Sequence, residues 1–247
     1  MGIIKNILFN ILSITSSRTQ TIFIMAHMRS GSSLLEHILS SNSDVLGTGE
    51  QSRIYNSNLD IKKSELFIRK KNQKLFNKYK FIIDQILHNK YTPNLELLNN
   101  NNIKFIFLIR NPDETISSIE NLGGPYGINE KKKFSSSSYY SNRIEYLIKL
   151  SKLIPEKDQI FITYDQLIFE SQSTLNKLTS FLQLKTSLKT VYNLKQTTGK
   201  LGDTSKNIKE GVIVKTKKNH IEIDTDIKNE LNKFYLRTCI YFDKKSK

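Results

Sequence analysis

The segment from Thr21 to Ser41 (TIFIMAHMRSGSSLLEHILSS) does most to limit how this chain can fold. Its first part, Ile22 to Ala26, is a continuous apolar run typical of a buried strand, and the polar turn from His27 to Gly31 ends that run. Apolar residues then recur at helical spacing from Leu34 to Leu39. The sequence therefore predicts a buried strand, a tight turn and an amphipathic helix in direct succession.

The turn between this strand and helix predicts an anion site. The first N–H groups of a helix have no partner inside the helix, and they lie at the positive end of its dipole. Gly31 allows close approach of the backbone, Arg29 adds a full positive charge, and Ser30, Ser32 and Ser33 add hydroxyl groups. A phosphate or a chemically related group is the expected ligand.

Two other interpretations of this segment compete with that one. A Walker loop requires G-x-x-x-x-G-K-[ST], but Ala26 stands in place of its first glycine and Ser32 in place of its lysine. An ordinary strand-to-helix turn is the second alternative, with Ser33 and Glu36 forming a capping box.

A second strand-to-helix junction lies further along the chain. The apolar run from Ile103 to Ile109 is of strand length and ends at Arg110, after which Asn111 and Pro112 are typical of a helix start. Ser118 follows Arg110 by eight residues, and the helical rise from Pro112 to Ser118 is roughly 9 Å. This spacing would allow the Arg110 side chain and the Ser118 hydroxyl to bind one phosphate between them. The alternative is that Arg110 pairs with an acidic residue in the first turn, Asp113 or Glu114.

The two junctions together resemble the nucleotide site of the sulfotransferases, which use 3′-phosphoadenosine 5′-phosphosulfate (PAPS). Residues 29–33 are similar to the family's 5′-phosphosulfate loop, although Ala26 and Met28 stand where glycine and proline are usual. The run from Arg110 to Ser118 is similar to its 3′-phosphate site. The resemblance implies PAPS as the donor, 3′,5′-adenosine bisphosphate as the product, and no requirement for a metal.

A third pattern, DVLGTGEQSR, resembles the tyrosylprotein-type branch of that family, in which a Gly-Glu pair precedes an arginine by a few residues. The resemblance implies that Glu50 is the general base and that Arg53 orients Glu50 or an acidic acceptor. Two alternatives stay open. Glu50 is an exposed loop carboxylate paired with Arg53, or the base is His88, which we place on a helix from residue 81 to residue 88.

Weaker similarities follow in the second half of the chain. Tyr164 begins a Tyr-Asp-x-Leu sequence that is similar to a family pattern, and we interpret it as mainly structural, with contact to the nucleotide as the second possibility. Lys200 lies in a Gly-x-x-Gly-Asp-like segment (198–203), where it either closes over the 3′-phosphate or belongs to a surface loop.

The alternation of apolar runs and helical patterns predicts an α/β fold, a single domain with a central parallel sheet and helices on both faces, of the P-loop-like nucleotide-binding type. Residues 21–247 are expected to form this domain, preceded by an N-terminal segment of residues 1–20 that forms a peripheral helix. The expected strands are 21–26, 103–109 and 158–163, and the expected helices lie near 32–42, 64–90, 112–121, 137–153 and 172–182.

Charge and cysteine content exclude several classes of function. The net charge is +15, but no aromatic-and-basic module points to a nucleic acid as partner. Cys239 is the single cysteine, so an internal disulfide and a cysteine-based metal site are excluded. The apolar residues between 3 and 14 are too few to span a membrane, although they suit peripheral membrane contact. We therefore expect a cytoplasmic enzyme, of the bacterial type.

The sequence as a whole predicts a PAPS-dependent sulfotransferase that transfers a sulfuryl group to a hydroxyl by in-line displacement. The acceptor is a glycan, a small molecule or a tyrosine, and the variable segments 121–138 and 184–220 are expected to shape its binding side. The alternatives are a nucleotide-dependent kinase with a degenerate P-loop and a non-catalytic nucleotide-binding protein.

Overall fold

The computed structural model describes residues 19–122, 135–195, 198–199, 207–215 and 225–245. Five strands form one sheet in the order β2-β3-β1-β4-β5, and every neighbouring pair is parallel. The strands are β1 (Gln20–Ala26), β2 (Val45–Gly47), β3 (Phe81–Ile86), β4 (Ile103–Ile109) and β5 (Gln159–Thr163). The predicted parallel α/β sheet is confirmed.

Eight α-helices connect or flank these strands in the described residues. They are α1 (Ser32–Ser40), α2 (Asn58–Lys71), α3 (Leu95–Leu98), α4 (Pro112–Glu120), α5 (Ser136–Ser151), α6 (Tyr164–Phe169), α7 (Ser171–Leu182) and α8 (Thr225–Lys245). Short 3₁₀ turns occur at Asn89–Tyr91, Glu156–Asp158 and Asn207–Glu210. Among these helices, none is both long and apolar enough to cross a membrane. Residues 1–18, most of the predicted peripheral segment, lie outside the described residues.

The sheet separates two hydrophobic cores. Side chains alternate along β1, so that Ile22 and Ile24 pack on one face, whereas Phe23 and Met25 pack on the other. Helices α1 and α7 cover the first face, and α5 and α8 cover the second. All four residues are fully buried, as expected for a parallel strand with helices on both sides. The prediction of helices on both faces is confirmed.

The predicted helix over residues 64–90 is wrong in its second half. Helix α2 ends at Lys71, and residues 81–86 (FIIDQI) form β3, which pairs with both β1 and β2. A short apolar run does not distinguish a buried strand from a buried helix turn by periodicity alone, and here the β-branched residues favour the strand. His88 therefore lies just beyond the carboxyl end of a strand, and not on a helix.

Candidate functional site

A cavity of about 290 Å³ opens at the carboxyl edge of the sheet. Strands β3 and β4 lie on opposite sides of β1, so the strand order reverses at β1. Open α/β sheets bind ligands beyond the carboxyl ends of the strands at such a reversal. The residues lining the cavity include Arg29, Ser33, Glu50, Arg110 and Tyr164. The structure thus brings the three sequence patterns to one place.

Helix α1 points its amino-terminal turn into this cavity. Gly31, at the N-cap, has φ +94°, and no side chain caps the helix. A Cβ at Gly31 would come within 2.5 Å of the Tyr164 ring, so both the backbone conformation and the close packing require glycine. The capping box between Ser33 and Glu36 is not formed. The turn therefore presents Ser32, Ser33 and the positive end of the helix dipole to the cavity.

Ser30 behaves differently from its neighbours in the loop. Its side chain is fully buried and is not part of the described cavity lining. Its hydroxyl has no hydrogen-bond partner in the part of the chain that the structure describes. Arg29, the preceding residue, adopts φ +62°, a left-handed conformation that is uncommon for arginine. The loop thus stores backbone strain beside the cavity.

Arg29 connects the two junctions directly. Its Nε donates a hydrogen bond of 2.8 Å to the Ser118 hydroxyl on α4, and its carbonyl oxygen accepts a bond of 3.2 Å from Nη1 of Arg110. Residues that the sequence separates by more than eighty positions therefore meet at the head of α1. In the structure the Ser118 hydroxyl binds Arg29. The sequence predicted that Ser118 acts together with Arg110.

Arg110 is held on three sides. Its Nε donates to Glu114 at 2.7 Å and its Nη2 donates to the same carboxylate, so the ion pair that the sequence offered as an alternative is present. Its guanidinium also lies 4.0 Å above the centre of the Tyr164 ring. Although the side chain is almost fully buried, Arg110 contributes to the cavity wall. It is therefore a preorganised cation beneath the site.

His27 ties the first loop to β4. Its Nε2 accepts a bond of 3.0 Å from the backbone N–H of Arg110, so Nδ1 carries the proton and donates to the Met28 carbonyl oxygen at 2.8 Å. Complete burial lowers its pKa to about 3, and the charges of Arg143 and Arg110 act in the same direction. His27 is a neutral structural link, because the charged imidazolium cannot accept from Arg110.

This link predicts acid-sensitive stability. Because the folded-state pKa of His27 lies below the value of 6.5 expected in the unfolded chain, its contribution is complete above pH 6.5 and is lost as the pH falls towards 3. His27→Gln retains an acceptor and a donor but does not titrate. Urea unfolding between pH 7 and pH 4 should show a larger loss of free energy of unfolding in the wild type than in H27Q. Equal pH dependence would contradict the link.

Glu50 lies at the mouth of the cavity, on a turn with two left-handed residues, Gly49 at φ +83° and Ser52 at φ +50°. Partial desolvation raises the pKa of the Glu50 carboxyl, whereas a hydrogen bond from the Ser52 hydroxyl and the charge of Lys90 oppose that shift. Glu50 as a residue is exposed to solvent. It is thus accessible to a ligand and more basic than an ordinary glutamate.

Arg53 and His88 are not part of the described cavity lining. The Arg53 guanidinium lies 4.4 Å above the Phe67 ring, and no ion pair joins it to Glu50. His88 is half-buried beside the rings of Tyr91 and Tyr139, and desolvation lowers its pKa. Glu50 is the better placed of the two candidate bases.

Lys200 lies outside the described residues, but its neighbours Thr198 and Gly199 line the cavity. The Thr198 hydroxyl is 2.7 Å from Nε2 of His37 on α1. Lys195 pairs with the buried carboxylate of Glu36, also on α1. This part of the chain therefore packs against the helix whose amino terminus faces the site.

Sequence reasoning missed Asp84 and Gln85 on β3. Gln85 lines the cavity, and Asp84 is fully enclosed behind it. Two adjacent polar residues inside the apolar run FIIDQI were the available signal, because a carboxylate and an amide in a central strand need dedicated partners. The assignment of residues 81–88 to a helix hid that signal.

Residues 97–187 match the family model described as "Sulfotransferase family". This segment of the chain is therefore similar to the sulfotransferase family. The matched segment includes β4, Arg110, Ser118 and Tyr164. No curated protein sequence matches this chain.

Solved structures support the same fold. The sulfotransferase domain from the curacin biosynthetic pathway is 16% identical with a TM-score of 0.57, and the match covers 88% of this chain and 98% of that one. The sulfotransferase domain from the Synechococcus PCC 7002 olefin synthase is 14% identical, with a TM-score of 0.54 and coverage of 89% and 95%. A sulfotransferase from Alicyclobacillus acidocaldarius is 14% identical, with a TM-score of 0.52 and coverage of 91% and 94%. At these identities the likeness establishes a shared fold.

Proposed function

We propose that this chain transfers a sulfuryl group from PAPS to a hydroxyl acceptor. The observation that carries the proposal is the contact between Arg29 and Ser118, because it joins two phosphate-binding patterns at the uncapped end of α1. A donor with phosphate groups at both its 5′ and 3′ positions matches two adjacent cationic sites better than a donor with one.

The donor site would divide between the two junctions. The 5′-phosphosulfate fits the head of α1, where Arg29, Ser32 and Ser33 face the cavity. The 3′-phosphate fits Arg110 and Ser118, with the Tyr164 ring supporting the Arg110 guanidinium. The donor supplies the sulfuryl group and leaves as 3′,5′-adenosine bisphosphate when the acceptor oxygen has bonded to sulfur.

Two side chains would carry the chemistry. Arg29 stabilises the negative charge that develops on the leaving phosphate, together with the dipole of α1. Glu50 removes the proton of the acceptor hydroxyl, a role favoured by its position at the cavity mouth and its raised pKa. Positive charge comes from the protein itself, so this mechanism uses no metal. Arg53 and Lys200 would act further out, towards the acceptor and the 3′-phosphate.

Calorimetric titration tests this function directly. The protein should bind 3′,5′-adenosine bisphosphate with micromolar affinity in the presence of EDTA, and it should bind ATP much more weakly. Binding of ATP that requires Mg²⁺ would favour a kinase. Binding of the bisphosphate without transfer to glycan, phenol or tyrosine-peptide acceptors would favour a non-catalytic nucleotide-binding protein.

Arg110→Ala should weaken binding of 3′,5′-adenosine bisphosphate by about tenfold to a hundredfold, the scale of a lost hydrogen bond to a charged group. The loss should be confined to ligands with a 3′-phosphate, so adenosine 5′-phosphosulfate should bind the variant and the wild type alike. Arg237→Ala, on the exposed surface of α8, provides the control. An equal loss of affinity for both ligands would contradict the assignment of Arg110 to the 3′-phosphate.

A further inference from the structure

Asp84 is a buried carboxylate that the proposed mechanism does not use. It lies on β3, is 2% exposed, and faces the turn that carries Glu50. Its Oδ1 accepts a bond of 2.9 Å from the N–H of Gln51 and one of 2.7 Å from its neighbour Gln85. Its Oδ2 accepts a bond from the Tyr55 hydroxyl. Asp84 thus binds the chain at two points just after Glu50.

The turn that carries Glu50 needs such support. Gly49 and Ser52 both adopt positive φ, and serine in the left-handed region is strained by about 1 kcal/mol or more. The Glu50 carboxylate contacts Ser52 within this turn at 3.2 Å. A turn that is strained and mostly open to solvent would relax to other conformations unless an interior group held it.

We propose that Asp84 is a positioning residue that fixes the turn of residues 49–52 and thereby the orientation of the Glu50 carboxylate. Tyr55 connects Asp84 to helix α2, because its hydroxyl donates a hydrogen bond to Asp84 and lies 2.9 Å from the Ser64 hydroxyl. The proposal rests on the proposed function, in which Glu50 is the base. It adds that a second carboxylate, on the central sheet, determines where that base points.

Asparagine at position 84 should preserve the hydrogen bonds that Asp84 makes. Burial raises the pKa of Asp84 to about 7, with the charge of Glu50 as a smaller contribution, so Asp84 is protonated at mildly acidic pH. Protonated Asp84 retains Oδ1 as an acceptor for the two amides, and it can donate to the Tyr55 oxygen. Asparagine provides the same acceptor and donor, whereas alanine provides neither.

The test compares Asp84→Ala with Asp84→Asn in the full-length chain, without any ligand. Hydrogen exchange of peptides covering residues 49–55 should be at least tenfold faster in D84A than in the wild type, and D84N should remain near the wild type. In ¹³C NMR of labelled glutamate carboxyls, assigned with Glu50→Gln, the Glu50 titration should move down towards an ordinary value in D84A but not in D84N.

The control variant is Asp44→Asn. Asp44 is also buried and accepts a backbone bond, from the Lys185 N–H at 3.0 Å, but it lies at the start of β2 and outside the cavity lining. Asp44→Asn should change neither the hydrogen exchange of residues 49–55 nor the titration of Glu50. If D84A does not fold, Tyr55→Phe removes one bond to Asp84, and it should accelerate exchange in residues 49–55 to a smaller extent. Unchanged exchange in whichever of these two variants folds would overturn the proposal.

Turnover separates this inference from the proposed function. With a transferable acceptor, D84A should lower kcat at least tenfold and leave the KM for PAPS within twofold, and D84N should restore most of kcat. The two proposals can fail separately. If exchange in residues 49–55 is faster in D84A but the wild-type protein transfers no sulfuryl group, the proposed function is refuted and the anchoring of the turn by Asp84 is supported. A rise in the KM for PAPS without a fall in kcat would overturn the positioning role.

Discussion

Arg29→Ala should lower turnover about a hundredfold or more, the scale seen when one preorganised donor to a developing negative charge is removed. Arg29 lines the cavity beside the head of α1, and the Ser118 hydroxyl holds its guanidinium in place. The variant should have a lower kcat but should still fold, because the Arg29 side chain is not part of a hydrophobic core. Steady-state kinetics with PAPS and thermal unfolding measure the two effects separately.

Two companion variants sharpen this result. Ser118→Ala removes the hydroxyl to which Arg29 donates and should lower turnover by a smaller factor, since the charge remains. Arg237→Ala removes an exposed arginine on α8 and should leave turnover unchanged. If R29A retained the wild-type rate, the proposed charge stabilisation at the leaving group would have to come from another residue.

Glu50→Gln should lower turnover by about 10²- to 10⁴-fold, the usual contribution of a general base. Affinity for 3′,5′-adenosine bisphosphate should not change, because the carboxylate lies on the acceptor side of the cavity in the proposed mechanism. In the wild type, kcat/KM should rise with pH through the pKa of Glu50, which partial burial places above 4.5. This acid limb should disappear in the variant.

His88→Gln is the matched test for the alternative base. His88 is half-buried against aromatic rings and outside the described cavity lining, so its replacement should have a small effect. A large loss in H88Q with little loss in E50Q would transfer the role of base to the histidine. It would also remove the basis for assigning Asp84 a part in positioning the base.

Local sequence was sufficient to predict the two strand-to-helix junctions. A buried strand, a glycine and an amphipathic helix follow one another within residues 21–41, and the caps Asn111 and Pro112 are adjacent to β4. Each of these features is determined by neighbours in the chain. The contact between Arg29 and Ser118 is not, since it depends on β1 and β4 pairing in register, and the sequence suggested only that both residues belong to one site.

Strand β3 was missed because its local signals are weaker and its polar residues have distant partners. The run FIIDQI is compatible with a helix when read alone, and only the partners of Asp84, which come from residues 51 and 55, explain a carboxylate inside it. Arg53 shows the opposite case. Its spacing from Glu50 suggested a pair, but stacking on Phe67 directs its guanidinium elsewhere.

The position of β1 in the middle of the sheet has a consequence for biosynthesis. Its hydrogen-bonding partners are β3 and β4, which are translated long after it, so a nascent β1 presents two unpaired edges and an apolar run from Ile22 to Ala26. The ribosome must synthesise β4 before both edges are covered. A form of this protein truncated before β4 would therefore keep one edge of β1 unpaired and is expected to aggregate.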